Sequence, residues 1–128
     1  MRELTASAVA VTATTPSYDT ILEVADAGGG HEIMTLQITN LLAAASLTDF
    51  RMAVKSNPDS TYQVLVPGAD WTAGTNDTVL FCSSTNPQTL AASGSAQVKV
   101  NIKGWGAVKF EGMVAAGTAT ITVEGWMQ

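Results

Sequence analysis

Few side chains in this sequence are equipped for reaction chemistry. There is one histidine, His31, and one cysteine, Cys82. His31 sits in GGGHE (28–32), beside Glu32 and five residues after Asp26. An imidazole and two carboxylates can begin a metal site, but structural zinc takes about four ligands, and no second His or Cys is near. The glycines ahead of His31 lack the following helix and the Lys-Ser/Thr pair of a phosphate loop, so the segment reads as a hairpin turn. Cys82 lies in the strand-like run VLFCSS and reads as a reduced, half-buried thiol. A nucleophilic cysteine needs a histidine partner, and a single cysteine forms no intrachain disulfide. Asp70 and Asp77 bracket ADWTAGTND, yet the D-x-D-x-D-G spacing of a calcium loop is missing, so this is a solvated loop. Asn76-Asp77-Thr78 matches a glycosylation sequon, which matters only in a eukaryotic secretory setting. Serines are plentiful without a G-x-S-x-G elbow. Asp19 with Glu23, and Glu111 with Glu124, could serve as acid pairs on a glycosidic bond. Their strand positions instead make them outward-facing charges that discourage stray edge pairing. No catalytic residue, metal ligand or cofactor is assigned, and an enzyme is the function class least expected.

The three tryptophans are better placed for binding. Trp71 follows the PGAD turn and reads as a plug at one end of the fold. Trp105 stands between glycines in KGWGA. Trp126 is in phase with Thr118, Thr120, Thr122 and Glu124, on the wet face of its strand. An indole on such a face suits an interface anchor or a stacking platform for sugar.

These residues must be positioned by strands, because the dominant period along the chain is two. Met34, Leu36 and Ile38 alternate with Thr35, Gln37 and Thr39. Phe50, Met52 and Val54 alternate with Asp49, Arg51, Ala53 and Lys55. In AQVKVNIK, Ala96, Val98, Val100 and Ile102 face in, as do Ala119, Ile121 and Val123 in TATITVEGW. In YDTILEVA the same period puts Tyr18, Thr20, Leu22 and Val24 on one face, with Asp19, Ile21 and Glu23 on the other. Glycine, proline and asparagine turns separate the runs. About eight or nine short strands at nearly regular spacing predict an all-β antiparallel sandwich, jelly-roll or Ig-like, with no significant helix. Only LLAAAS (41–46) has helical character. Residues 1–16 read either as an N-terminal arm or as the first strand, and 17–128 as one sandwich domain.

Composition narrows the partners. The chain has 128 residues, 13% charged and 46% hydrophobic, enough to bury one core and too apolar for disorder. Eleven acids against six bases give a net charge of −5, the wrong sign for a phosphate backbone, so no nucleic acid is expected. No apolar run approaches the roughly 18 residues of a spanning helix, so no membrane is expected either. Glu3 and the threonines of MRELTASAVAVTATT argue against a signal peptide.

Two segments resemble a known group. ITNLLAAASLTDFRMAVKSNPDSTYQVLVPGADW (38–71) runs strand, small-residue loop, LTDF, strand and hairpin. TLAASGSAQVKVNIKGWGAVKFEGMVAAGTATITVEG (89–125) runs small-residue lead-in, alternating strand, turn and two closing strands. Together they resemble small all-β virion proteins of tailed bacteriophages, particularly capsid decoration (cement) proteins. The resemblance implies a subunit made in the host cytoplasm that binds the capsid exterior. Its partners would be the major capsid protein, copies of itself as a dimer or trimer, or both. It transfers no catalytic residue. The residues singled out for partner contact are Val9 and Val11, in the uncharged run TASAVAVTATTPS, together with Trp105 and Trp126. A neck or tail component, or a glycan- or receptor-binding module stacking sugar on Trp105 and Trp126, are the alternatives.

Overall fold

The structure is a computed structural model that describes residues 1–27, 30–41, 44–57, 61–66, 79–82 and 90–128, with 65–66 and 79–82 described as backbone. Nine strands form among these residues: β1 (Arg2–Val11), β2 (Asp19–Val24), β3 (Ile33–Asn40), β4 (Leu47–Lys55), β5 (Gln63–Val66), β6 (Val79–Cys82), β7 (Ser95–Asn101), β8 (Ala107–Val114) and β9 (Ala119–Met127). Among the described residues there is no helix. Trp71, Asp70, Asp77, the sequon at 76–78 and the Cys82 side chain lie outside what is described.

The strands build a five-stranded sheet in the order β1-β9-β3-β7-β6 and a four-stranded sheet in the order β2-β8-β4-β5. Every pairing is antiparallel. Strand β1 pairs β9, β2 pairs β8, β3 pairs β7 and β4 pairs β5, as if one long hairpin had been folded back and rolled up. The roll closes where β9 meets β3 and β8 meets β4. This nesting is the jelly-roll order, and it separates the fold from the Ig-like alternative. Strand β6 is an addition at the free side of β7. Residues 1–16 contain β1, which runs antiparallel to β9 in the chain's own sheet.

The core fills the space between the sheets. Met34, Leu36 and Ile38 of β3, Val98 and Val100 of β7, and Ile121 and Val123 of β9 come from one side. Phe50, Met52 and Val54 of β4, with Val108 and Phe110 of β8, come from the other. Phe50 and Phe110 meet edge to face, centroids 5.6 Å apart, a geometry favoured by the ring quadrupole. The inward residues of β3, β4, β7 and β9 are those the alternation predicts.

Strand β2 differs. A bulge between Thr20 and Leu22 adds one residue opposite β8, so Ile21 and Val24 are both buried although they are an odd number apart. Strand β1 is bulged as well. Between Ala6 and Val9 its register shifts against β9, Ala8 takes φ 50°, and its amide donates to Thr122 Oγ1 at 3.1 Å. An edge strand bent in this way is a poor template for indiscriminate pairing.

Buried Asn40 ties two connections to the sandwich. Its Nδ2 donates to the Ala45 carbonyl at 2.8 Å and to the Leu90 carbonyl at 3.2 Å. A buried amide with its donors engaged in this way fixes loop positions that apolar packing alone leaves loose.

Candidate functional site

The two outward sheet faces have opposite chemistry. On the five-stranded sheet, β9 lies between β1 and β3, so its outward residues stand inside the face rather than at its rim. Trp126 is there, 45% exposed. It is paired across to Thr35 on β3 and to Glu3 on β1. One step along, Glu124 is paired to Gln37, which is paired in turn to Gln97 on β7. Thr35, Gln37, Gln97, Glu124 and Trp126 line a shallow depression of about 250 Å³. Gly125 makes this arrangement possible. A Cβ there would fall on the Thr35 carbonyl oxygen and 2.8 Å from Leu36 Cδ2, so a larger residue would push β9 off β3 beneath the indole.

The outer face of the four-stranded sheet is an ion-pair and aromatic lattice. Glu111 and Glu124 are both outward by alternation, and Glu124 is exposed as expected. Glu111 is not: it is 5% exposed, a correction to its assignment as a solvated strand charge. The cause is its place on β8, between β2 and β4, where neighbouring side chains close over it. Arg51 Nε donates to Glu111 Oε1 at 3.0 Å and Lys109 Nζ to Oε2 at 3.2 Å. The Arg51 guanidinium lies 3.9 Å from the centroid of the Tyr18 ring, and the Tyr18 hydroxyl donates to Asp49 Oδ2. Lys55 and Lys109 approach the Tyr62 ring at 4.7 and 4.5 Å. Both phenols are pushed up to about 12, chiefly by burial. The hydrogen bond to Asp49 adds to the effect at Tyr18, and the charge of Glu23 adds to it at Tyr62. Three of the six basic residues are thus engaged with acids or rings on this one face.

Asp19 serves the backbone rather than a carboxylate pair with Glu23. Its Oδ2 accepts from the amides of Thr12 and Ala13 at 2.8 and 2.9 Å, and these bonds hold its carboxyl below the ordinary carboxylate range. It closes the connection between β1 and β2.

The four residues singled out for partner contact separate. Val11 is fully buried, which removes it as an exposed contact, and Val9 is partly buried against the same core, so both valines help anchor β1 to its own sandwich. Their inward turn follows from the pairing of β1 along β9. Trp126 stands free on the five-stranded face. Trp105 lies in the β7–β8 turn, partly buried against the core, and lines a different depression of about 340 Å³ with His31, Glu32, Ser56 and Lys103. Among the described residues, the two indoles line different depressions. The sequence reasoning missed Tyr18, Asp49, Arg51, Tyr62 and Lys109 as a group, because nothing local signals which strands carry them side by side.

The architecture defines a class, the antiparallel jelly-roll sandwich. No family model matches the chain, and no curated protein matches it. Among solved structures it is similar to the SPBc2 prophage-derived protein YomS, at 12% identity and a TM-score of 0.44, over 98% of this chain and 95% of that one.

Proposed function

We propose that the chain is a structural virion subunit, a capsid decoration protein that docks on the shell through the outer face of its five-stranded sheet. The observation that carries this reading is the contrast between the two faces. On the four-stranded face Arg51, Lys55, Lys109 and Glu111 are already engaged within the molecule, and a partner there would have to break ion pairs and cation–π contacts. The opposite face presents Trp126 inside a frame of threonine and glutamine with two carboxylates, Glu3 and Glu124, and with Lys99 across from Thr35. An aromatic anchor with a polar surround matches the anatomy of a protein–protein hot spot. The low charged fraction of the chain also lets like subunits sit close together at a net charge of −5. Repetition over a symmetric shell multiplies a modest contact, because bound copies raise the local concentration of their neighbours' sites.

Co-sedimentation with assembled heads tests the reading. The wild-type chain is expected to pellet with heads, and Trp126→Ala to bind roughly tenfold to thirtyfold more weakly, the usual loss at an aromatic hot spot of about 2 kcal/mol. Equal pelleting of both proteins would remove Trp126 from the interface. Binding to isolated tails instead of heads would place the subunit at the neck or tail of the virion.

A further inference from the structure

We infer that the depression beside Trp105 is a site for a neutral saccharide, separate from the docking face. It is built where three connections converge at one end of the sandwich: residues 30–32 before β3, Ser56 after β4, and the 103–106 turn between β7 and β8. Their positions are locked by backbone contacts. The amide of Ile102 donates to the Glu32 carbonyl at 2.9 Å, that of Gly106 to Lys55 at 2.9 Å, and that of Ala27 to Gly106 at 2.9 Å. Gly106 allows the closest of these approaches, since a Cβ there would stand 2.6 Å from the Ser56 carbonyl oxygen. A site whose backbone frame is set before the ligand arrives loses less ordering entropy on binding.

The lining selects the ligand class. Trp105 contributes an indole, the side chain on which the C–H face of a sugar ring stacks. Around it are an acceptor in Glu32, a donor in Lys103, and groups that serve as either in Ser56 and His31. A polyol, whose hydroxyls each donate and accept, matches that mixture. Charge argues against an anion. Lys103 Nζ is 3.1 Å from Glu32 Oε1, so the one strong cation among the described residues lining the depression is already paired with a carboxylate. At about 340 Å³ the volume lies at the lower end of the small-ligand range of roughly 300–1,000 Å³, suited to a single sugar residue or a chain end.

Isothermal titration with methyl glucoside, methyl galactoside and N-acetylglucosamine, and with inorganic phosphate as the anion, tests the inference. Saturable millimolar binding of at least one sugar is expected, with none of phosphate. Trp105→Ala and Lys103→Ala should each weaken that binding tenfold or more, while Trp126→Ala leaves it within twofold. Lys103 is well exposed, so its variant remains informative if Trp105→Ala fails to fold. Absence of saturable binding by every sugar, preference for phosphate, or sugar binding unchanged in Lys103→Ala would overturn the assignment. Shell binding is read separately, so failure here leaves the docking face untouched.

Discussion

Arg51 on β4 and Glu111 on β8 are cross-strand partners whose side chains meet at 3.0 Å, and the glutamate side chain is left only 7% exposed on a face that looks away from the core. Lys109 holds the second carboxylate oxygen. A buried charge of this kind adds little when intact but is costly to strand, because the desolvation penalty remains after its partner has gone. Arg51→Met is therefore expected to destabilise the fold by about 1–3 kcal/mol, the lower end reflecting the solvent already at the guanidinium. Lys109→Met should cost less while Arg51 remains. The double variant should lose more than the sum of the two, by roughly 0.5–2 kcal/mol in urea unfolding. Simple additivity would show that the cations do not share one carboxylate.

Both tyrosines in the chain belong to the same lattice, so their ionisation can be read without interference. Each phenol is raised from its ordinary value near 10 to about 12 in the folded protein. A raised folded value means that the associated stability is present below the unfolded pKa and is lost as pH climbs through the folded one. Phenolate absorbance should stay low in the native protein at about pH 11, where the unfolded chain is largely ionised. Thermal stability should fall from about pH 10 towards 12. Ordinary titration of both phenols in the native state would contradict their burial against Asp49 and Glu23.

Asp19 governs the opposite end of the pH scale. Its carboxyl is depressed by the amides of Thr12 and Ala13, so its contribution is present above the unfolded pKa and disappears as pH falls through the folded value. Stability should decline as pH drops below about 4. Asp19→Asn should shallow that decline and cost about 1 kcal/mol at neutral pH, a figure already discounted for solvent around the carboxylate. A variant with the wild-type acid profile would assign that slope to other carboxylates.

Ala8 carries the strain of the β1 bulge. At φ 50° its Cβ crowds the backbone, a penalty glycine avoids. Ala8→Gly should leave stability unchanged or raise it by up to about 1 kcal/mol, the relief being partly offset by the greater freedom of glycine when unfolded. Ala8→Val at the same site should lower the melting temperature. If glycine proves clearly worse than alanine there, the left-handed conformation is not what the bulge requires.

Much of the fold was legible because alternation is a local signal. Leu36, Val98 and Val123 can be placed inward from their neighbours alone, and Trp126 outward by counting from Thr118. Ile21 and Val24 defeat that count, since the bulge at Ile21 changes the phase within a single short strand. Glu111 defeats it for a different reason. Alternation gives the side of the sheet a residue faces, but its burial depends on Arg51, sixty positions away in sequence and opposite only through the β4–β8 register. The candidate sites divide in the same way. Trp126 is found from one strand, whereas the Trp105 depression needs three connections brought together by the jelly-roll order.

Placing β9 between β1 and β3 also sets a timetable for biosynthesis. A nascent chain that has not yet released residues 119–127 from the ribosome holds two strands of one sheet with an open slot between them. Each of those strands exposes a bare row of amides and carbonyls, and the core beneath them stays uncovered. Native closure therefore waits until residues 119–127 are free to insert between β1 and β3. Until then the chain depends on its own bulged first strand, and on any chaperone within reach, to keep from pairing with its neighbours on the polysome.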